Sequence, residues 1–287
     1  MEFVKNYKDD KNLRQSFNAL SLDTFGIDFE PWYNAGFWNE NYINYSFKEG
    51  QDIISNVSIN KMDLLIDGNQ KRAIQIGTVM TLEEQRNKGL AYKLLNKVIN
   101  DFEDEYDFLY MFANDSALSL YLNCGFKPIY EKSFSMDFKL NNDIKLKKLD
   151  MDNNKDRDLI IDFAKNNVFK SDVFSVKNNH HLIMFYSLFL FRDNIYYIKD
   201  LDVIVYYNII DDKLKLIDVL SKKKVDLMDV INSLSCKNIN KIEFMFTPNL
   251  DLNILNIEKL KIEDSTLLIR PLNNLTTNFR FPAMSQA

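Results

Sequence analysis

The sequence predicts an α/β protein of the α+β kind: a central mixed, mostly antiparallel sheet flanked by helices, with the plan repeated along the chain. Three observations lead there. Runs rich in β-branched and aromatic residues, bounded by turn signals, mark strands at Asp52–Ile66, Ala73–Met80 and Phe108–Phe112. Between the last two, Leu90, Leu94, Leu95 and Val98 recur at helical spacing behind a glycine-bearing turn. The order hairpin, helix, strand then returns at Val203–Ile210, Leu214–Leu220, Asp226–Leu234 and Ile242–Phe246.

Taken in order, Asn12–Phe25 carries Leu13, Phe17, Leu20 and Leu22 on an amphipathic helix. The next stretch packs Phe29, Trp32, Tyr33, Phe37, Trp38, Tyr42 and Tyr45 among Asp28, Glu30 and Glu40, with Pro31 and Gly36 breaking any long helix. Rings beside carboxylates suit a pocket for a cationic amine. Each ring taken alone is better explained as core. Asp67-Gly68-Asn69 is a hairpin turn that brings the chain back as the Ala73–Met80 strand. After Phe112, Asn114–Asn123 reads as a short helix ended by Gly125, and strands follow at Phe126–Tyr130 and Lys132–Leu140.

Composition narrows the class. The 287 residues include 46% hydrophobic side chains, enough for one large or two smaller cores, and the formal charge of −5 argues against a nucleic-acid partner. The run Leu182–Phe191 is about half a membrane span and reads as a core strand or helix. No secretory segment opens the chain, so no membrane partner and a cytoplasmic location are expected. The two cysteines, Cys124 and Cys236, form no disulfide framework, and adjacent His180 and His181 no metal motif.

The chemistry concentrates between Ala73 and Ala91. A strand, a glycine turn and a helix make an anion site, because the first helical turn offers unpaired N–H groups and the positive end of the dipole. The turn Arg86-Asn87-Lys88-Gly89-Leu90-Ala91 fits R/Q-x-x-G-x-G/A. Downstream, Asn114, Ala117, Leu120, Tyr121, Gly125 and Phe126 fit N-x-x-A-x-x-L-Y-x-x-x-G-F. In this order behind a buried strand, the two motifs resemble the GCN5-related N-acetyltransferase (GNAT) family over roughly residues 1–140. A departure is Thr78-Val79-Met80-Thr81, where many members have V-x-P.

The resemblance implies a GNAT-like sheet duplicated in tandem and acetyl transfer from acetyl-CoA to a primary amine of a small molecule or peptide. It places the pyrophosphate on the turn Arg86, Asn87, Lys88, Gly89, Leu90 and Ala91, and the pantetheine arm along Ile76, Gly77, Thr78, Val79 and Met80. Asn114 becomes a further coenzyme contact and Tyr121 the general acid. Asp28, Glu30, Trp32, Tyr33 and Trp38 become acceptor-site candidates, with Glu30 and Glu40 as general-base candidates. An aminoglycoside acetyltransferase and a non-catalytic acyl-CoA-binding regulator are the alternatives, and a homo-oligomer stays open.

The expected domains are 1–142, catalytic, and 143–287, degenerate with a C-terminal tail. In the second, Lys222-Lys223-Lys224-Val225 stands where the glycine turn would be. The tandem plan is distantly similar to the first two domains of Eis-type acetyltransferases.

Overall fold

The computed structural model describes residues 1–102, 104–168, 171–271 and 278–286. In chain order its elements are β1 (Glu2–Lys5), α1 (Lys11–Phe25), α2 (Glu30–Asn34), β2 (Tyr42–Glu49), β3 (Asp52–Ile66), β4 (Asn69–Thr81), α3 (Leu90–Phe102), β5 (Phe108–Ala113), α4 (Leu118–Asn123), β6 (Lys127–Pro128) and β7 (Lys132–Asn142). There follow β8 (Lys147–Lys148), α5 (Asn154–Lys165), β9 (Phe174–Lys177), α6 (His180–Phe189), β10 (Ile195–Ile198), β11 (Val203–Ile210), β12 (Lys213–Ser221), α7 (Leu227–Asn232), β13 (Cys236–Phe244), β14 (Asn256–Lys259) and β15 (Thr266–Arg270).

Two mixed, mostly antiparallel sheets result, each flanked by helices. One runs β1-β2-β3-β4-β5-β15-β6, with β9 beside β3; the other runs β14-β7-β13-β12-β11-β10-β8. Each has a single parallel pair, β4 with β5 and β12 with β13. The duplicated plan is therefore present in the strand pairing, although the two halves share little residue pattern.

The sheets trade strands. β7, from the first half of the chain, pairs with β13 and β14 in the second sheet. In return, β15 lies between β5 and β6 in the first. The predicted strand after Phe126 shrinks to Lys127–Pro128, held by β15 rather than by β7. Gly125 shows how close the exchange runs. Its φ is +82°, and a Cβ there would stand 2.1 Å from Nη1 of Arg270, which donates to the Cys124 carbonyl at 2.6 Å.

Burial explains the two faces of the first sheet. Ile43, Ile59, Ile76 and Leu109 face α3, whose Leu94 and Val98 close that core. On the opposite face the register aligns Tyr42, Asn60, Gln75 and Tyr110 in one row across four strands, all buried. A further cluster joins Phe17, Phe29, Trp32 and Trp38 to Met184 of α6 and to Ile204, Tyr206 and Ile217 of the second sheet. The two halves thus share a core. Leu182–Phe191 begins within α6 and ends in a turn, and among the described residues no helix is long and apolar enough to cross a membrane.

Candidate functional site

The site opens where two strands part. β4 and β5 pair only at Ala73–Phe108, Ile74–Leu109 and Gln75–Tyr110. Both continue, to Thr81 and Ala113, but β5 turns its other edge to β15. No strand covers the edge of Ile76–Met80 that faces the gap.

That edge is bent by a bulge. Asn56 pairs with Met80 and Ser58 with Gly77, leaving Thr78 and Val79 opposite Val57 alone. Thr78 sits at φ +47°, a conformation unfavourable for a β-branched residue and one that collects at functional sites. The surroundings hold it there. Asn56 Nδ2 donates to the Thr78 carbonyl at 2.8 Å, and the Tyr42 hydroxyl and Thr78 Oγ1 lie 2.9 Å apart.

The bulge sends neighbouring residues to different cavities. Val79 and Met80 line a cleft of about 390 Å³, with the turn from Arg86 to Tyr92 and Ala117 and Leu120 around it. Thr78 lines an apolar cavity of about 230 Å³ with Phe29, Trp32 and Tyr42. In the larger cleft, Asn87 and Gly89 are both left-handed, at φ +61° and +74°. The first backbone bond of α3 runs from the Lys93 amide to the Gly89 carbonyl at 3.1 Å, and the amides of residues 87 to 92 donate to no acceptor among the described residues. Six adjacent unsatisfied donors with a helix dipole behind them favour a bound anion.

The side chains of that turn are occupied locally. Arg86 Nε donates to the Thr81 carbonyl at 3.2 Å, and Lys88 Nζ to Gln85 Oε1 at 3.0 Å. Asn114 Oδ1 caps the turn before α4, accepting from the Ala117 amide at 3.0 Å. Tyr121 is buried against Leu90, Leu94 and Ala113. Its hydroxyl bonds to no described residue, yet is not among the sealed polar atoms. Burial, and then Cys124, push its pKa up to about 12, so it stays protonated near neutrality.

The acceptor-side candidates separate. Trp32 lines the apolar cavity; Asp28, Glu30, Tyr33 and Trp38 are absent from its wall. Glu30 accepts from Arg14 Nε at 2.9 Å, Arg14 Nη2 at 3.1 Å and Asn18 Nδ2 at 3.1 Å. The Arg14 bonds hold its carboxyl below the ordinary range, which weakens it as a base. Tyr33 stacks under Arg14, 3.7 Å from the ring centre. Asp28 accepts from the Glu30 amide at 2.9 Å, which helps start α2. Glu40 is exposed and pairs with Lys8. Trp38 is core, packed on Phe17 and Tyr42. The two glutamates are thus each neutralised within the protein, Glu30 by Arg14 of α1 and Glu40 by Lys8.

Sequence reasoning missed half of the apolar wall. Leu182, Phe185, Tyr186 and Leu190 reach it from α6 and the turn after it, and Gln286 from the tail. Their apolar run was visible, but nothing local says which cavity a core helix closes. Among the described residues, no group of three or more His, Cys, Asp or Glu is placed to hold a metal ion.

Residues 11–129 match the model of the acetyltransferase (GNAT) domain. The first half of this chain contains a GNAT-fold acetyltransferase domain. Solved structures extend the fold likeness over almost the whole chain. A conserved protein of unknown function from Enterococcus faecalis V583 superposes with a TM-score of 0.58 at 14% identity, covering 94% of this chain and 71% of that one. A GCN5-related N-acetyltransferase from Kribbella flavida gives 0.55 at 12%, covering 94% and 72%. Eis1 from Mycobacterium abscessus gives 0.58 at 12%, covering 93% and 73%. No curated protein matches the chain. Within the GNAT domain, the phosphate-sized cradle and the strand gap lie side by side.

The second half lacks such a cradle. Asp226 caps α7, its Oδ1 accepting from the Met228 amide at 2.7 Å and the Asp229 amide at 3.4 Å. A carboxylate already fills the place an anion would take.

Proposed function

We propose that this chain is an N-acetyltransferase that moves the acetyl group of acetyl-CoA to a primary amine. The observation that carries the reading is the unpaired run of amides at residues 87–92 beside the open edge of β4. The amides hold the pyrophosphate, and Ile76–Met80 pair with the amide groups of the pantetheine arm as a missing strand would. That path brings the thioester to the Thr78–Val79 bulge, between the coenzyme cleft and the apolar cavity.

The amine nitrogen, uncharged, attacks the thioester carbonyl from the Thr78 side. A C–N bond forms, the carbonyl oxygen becomes an oxyanion, and collapse breaks the C–S bond. Tyr121 donates its proton to the departing sulfur, water removes the extra proton from nitrogen, and the phenolate regains a proton from solvent, which restores the resting phenol. The products are an N-acetyl amide and free coenzyme thiol. Desolvation acts in favour of this scheme, since a cavity without carboxylates binds the neutral, nucleophilic amine rather than its ammonium form.

The tandem architecture and the likeness to Eis1 support a two-lobed enzyme with one working site, the second lobe serving as a scaffold. The test couples coenzyme binding by calorimetry to thiol release from acetyl-CoA in the presence of amines. Binding with a stoichiometry of one, together with amine-dependent release, is expected. Binding without release by any amine would instead favour a non-catalytic acyl-CoA sensor.

A further inference from the structure

The apolar cavity says more about the acceptor than the fold does. It lies across the β4 bulge from the coenzyme cleft and shares Thr78 with the strand that would carry the thioester. Among the described residues its wall contains no Asp, Glu, Lys or Arg. Six aromatic residues line it, and Phe29, Trp32, Tyr42 and Phe185 among them touch one another in edge, tilted and stacked pairs. Trp32 meets Tyr42 at 5.3 Å and 85°, Trp32 meets Phe185 at 5.8 Å and 86°, and Phe29 meets Phe185 at 5.4 Å and 36°. Such an arrangement leaves faces and edges for one more ring. The mouth is apolar as well: Phe25 is 45% exposed and Leu190 is 53% exposed.

The carboxylates that a polycationic acceptor needs are turned away. Glu30 is closed on Arg14 and Asn18, and Glu40 is drawn to Lys8. A volume of about 230 Å³ falls below the ~300 Å³ at which pockets for larger ligands begin, so it admits one ring or a short chain.

Resting on the acetyltransferase reading above, we propose that the acceptor is a small arylalkyl primary amine. Its ring occupies the cavity between Phe29, Trp32, Tyr42 and Phe185, and its amino group reaches the thioester past Thr78. The acyl chain is not assigned to this cavity, whose lining residues Phe25 and Leu190 are exposed to solvent. Transfer converts R–NH2 and acetyl-S-CoA to R–NH–CO–CH3 and CoA–SH; the amine proton passes to water, the Tyr121 proton passes to sulfur, and solvent reprotonates Tyr121.

The experiment compares phenethylamine, hexylamine, spermidine and kanamycin as acceptors, each by thiol release and by calorimetric binding to the full chain with coenzyme A present. Acetyl- and octanoyl-CoA serve as donors. Phenethylamine should give the highest kcat/KM with acetyl-CoA, at least tenfold above spermidine and kanamycin. Leu190→Glu, an exposed rim change that leaves the core intact, should raise the phenethylamine KM about tenfold without altering coenzyme Kd. Phe185→Ala should do the same, with thermal unfolding checked beside it.

Preference for kanamycin or spermidine would overturn the substrate class while leaving acetyl transfer in place. So would octanoyl-CoA outperforming acetyl-CoA in competition with the amine. Phenethylamine that binds, and is lost from Leu190→Glu, but is not acetylated would uphold the pocket and remove the acetyltransferase reading. No binding or turnover of phenethylamine would overturn the proposal.

Discussion

The indole Nε1 of Trp32 donates a 2.8 Å hydrogen bond to the backbone carbonyl of His181, 149 positions further along the chain. This bond fastens α2 to the start of α6, the helix that closes the apolar cavity from the second half. His181 is itself fully buried, with Nε2 3.2 Å from Asn60 Oδ1, and burial lowers its pKa to about 3. The ring is therefore neutral and structural. Trp32→Phe keeps a ring in the wall but leaves the carbonyl without its donor. A loss of about 1–2 kcal/mol in unfolding free energy is expected, with amine KM rising severalfold and coenzyme Kd unchanged. An equal rise in coenzyme Kd would show that the junction governs the whole site rather than its acceptor side.

Tyr121 is the position to test for chemistry. Tyr121→Phe preserves the packing against Leu90 and Leu94, and its hydroxyl has no bonded partner among the described residues to lose. We expect kcat to fall roughly 100-fold with Tm and coenzyme Kd near parental. A kcat within a few-fold of the parent, with chemistry shown to limit the rate, would reduce Tyr121 to a packing residue.

Gly89 separates backbone strain from ligand obstruction. A Cβ at this glycine meets nothing within 4 Å, so the structural cost of Gly89→Ala is the left-handed φ alone, about 1 kcal/mol. Gly89→Glu adds an anion where the phosphates would sit. Coenzyme Kd should rise roughly 100-fold while unfolding stays cooperative. Calorimetry giving parental affinity for the Glu variant would remove the cradle.

Glu30 should prove structural. Arg14 is buried, and Glu30→Gln deprives its guanidinium of a charged partner. The cost is about 2 kcal/mol of stability, with kcat at saturating amine within about twofold of parental. A collapse of kcat in a folded variant, accompanied by loss of an acidic limb in the pH profile, would restore it as a general base.

Glu131 gives the fold a pH dependence. It is buried at the start of β7, where its carboxylate accepts from the Phe281 amide at 2.7 Å, and burial raises its pKa to about 7. The folded state then binds a proton that the unfolded chain, with a carboxyl near its ordinary 4.5, has already released. Between roughly pH 4.5 and 7 this group makes stability fall as pH rises, by up to about 3 kcal/mol at ~1.36 kcal/mol per pKa unit. Glu131→Gln keeps an acceptor for Phe281 without the charge. Chemical unfolding of the pair at pH 5 and pH 8 should show the variant gaining on the parent at the higher pH. Parallel curves would mean that Glu131 is not the responsible group.

Local chemistry was legible in the sequence. The Asp67-Gly68 hairpin, the Gly89 turn and the period of α3 are each specified by residues a few positions apart. Backbone preference and helical period suffice to place them. The glycine turn that opens α3 could therefore be read directly from Arg86 to Ala91.

Tertiary structure decided what those elements meet. Whether β5 pairs with β7 or with β15 depends on edges more than 100 residues apart, and no local propensity distinguishes them. Whether Glu30 faces an amine or Arg14 depends on the packing of α1 against α2, since either partner satisfies the same charge. The rings of residues 29 to 45 could not be sorted into wall and core until α6 came to lie across Trp32 and Phe29. Burial is set by the whole surface folded over a side chain, so only the assembled chain determines which aromatic residues line the cavity and which fill the core.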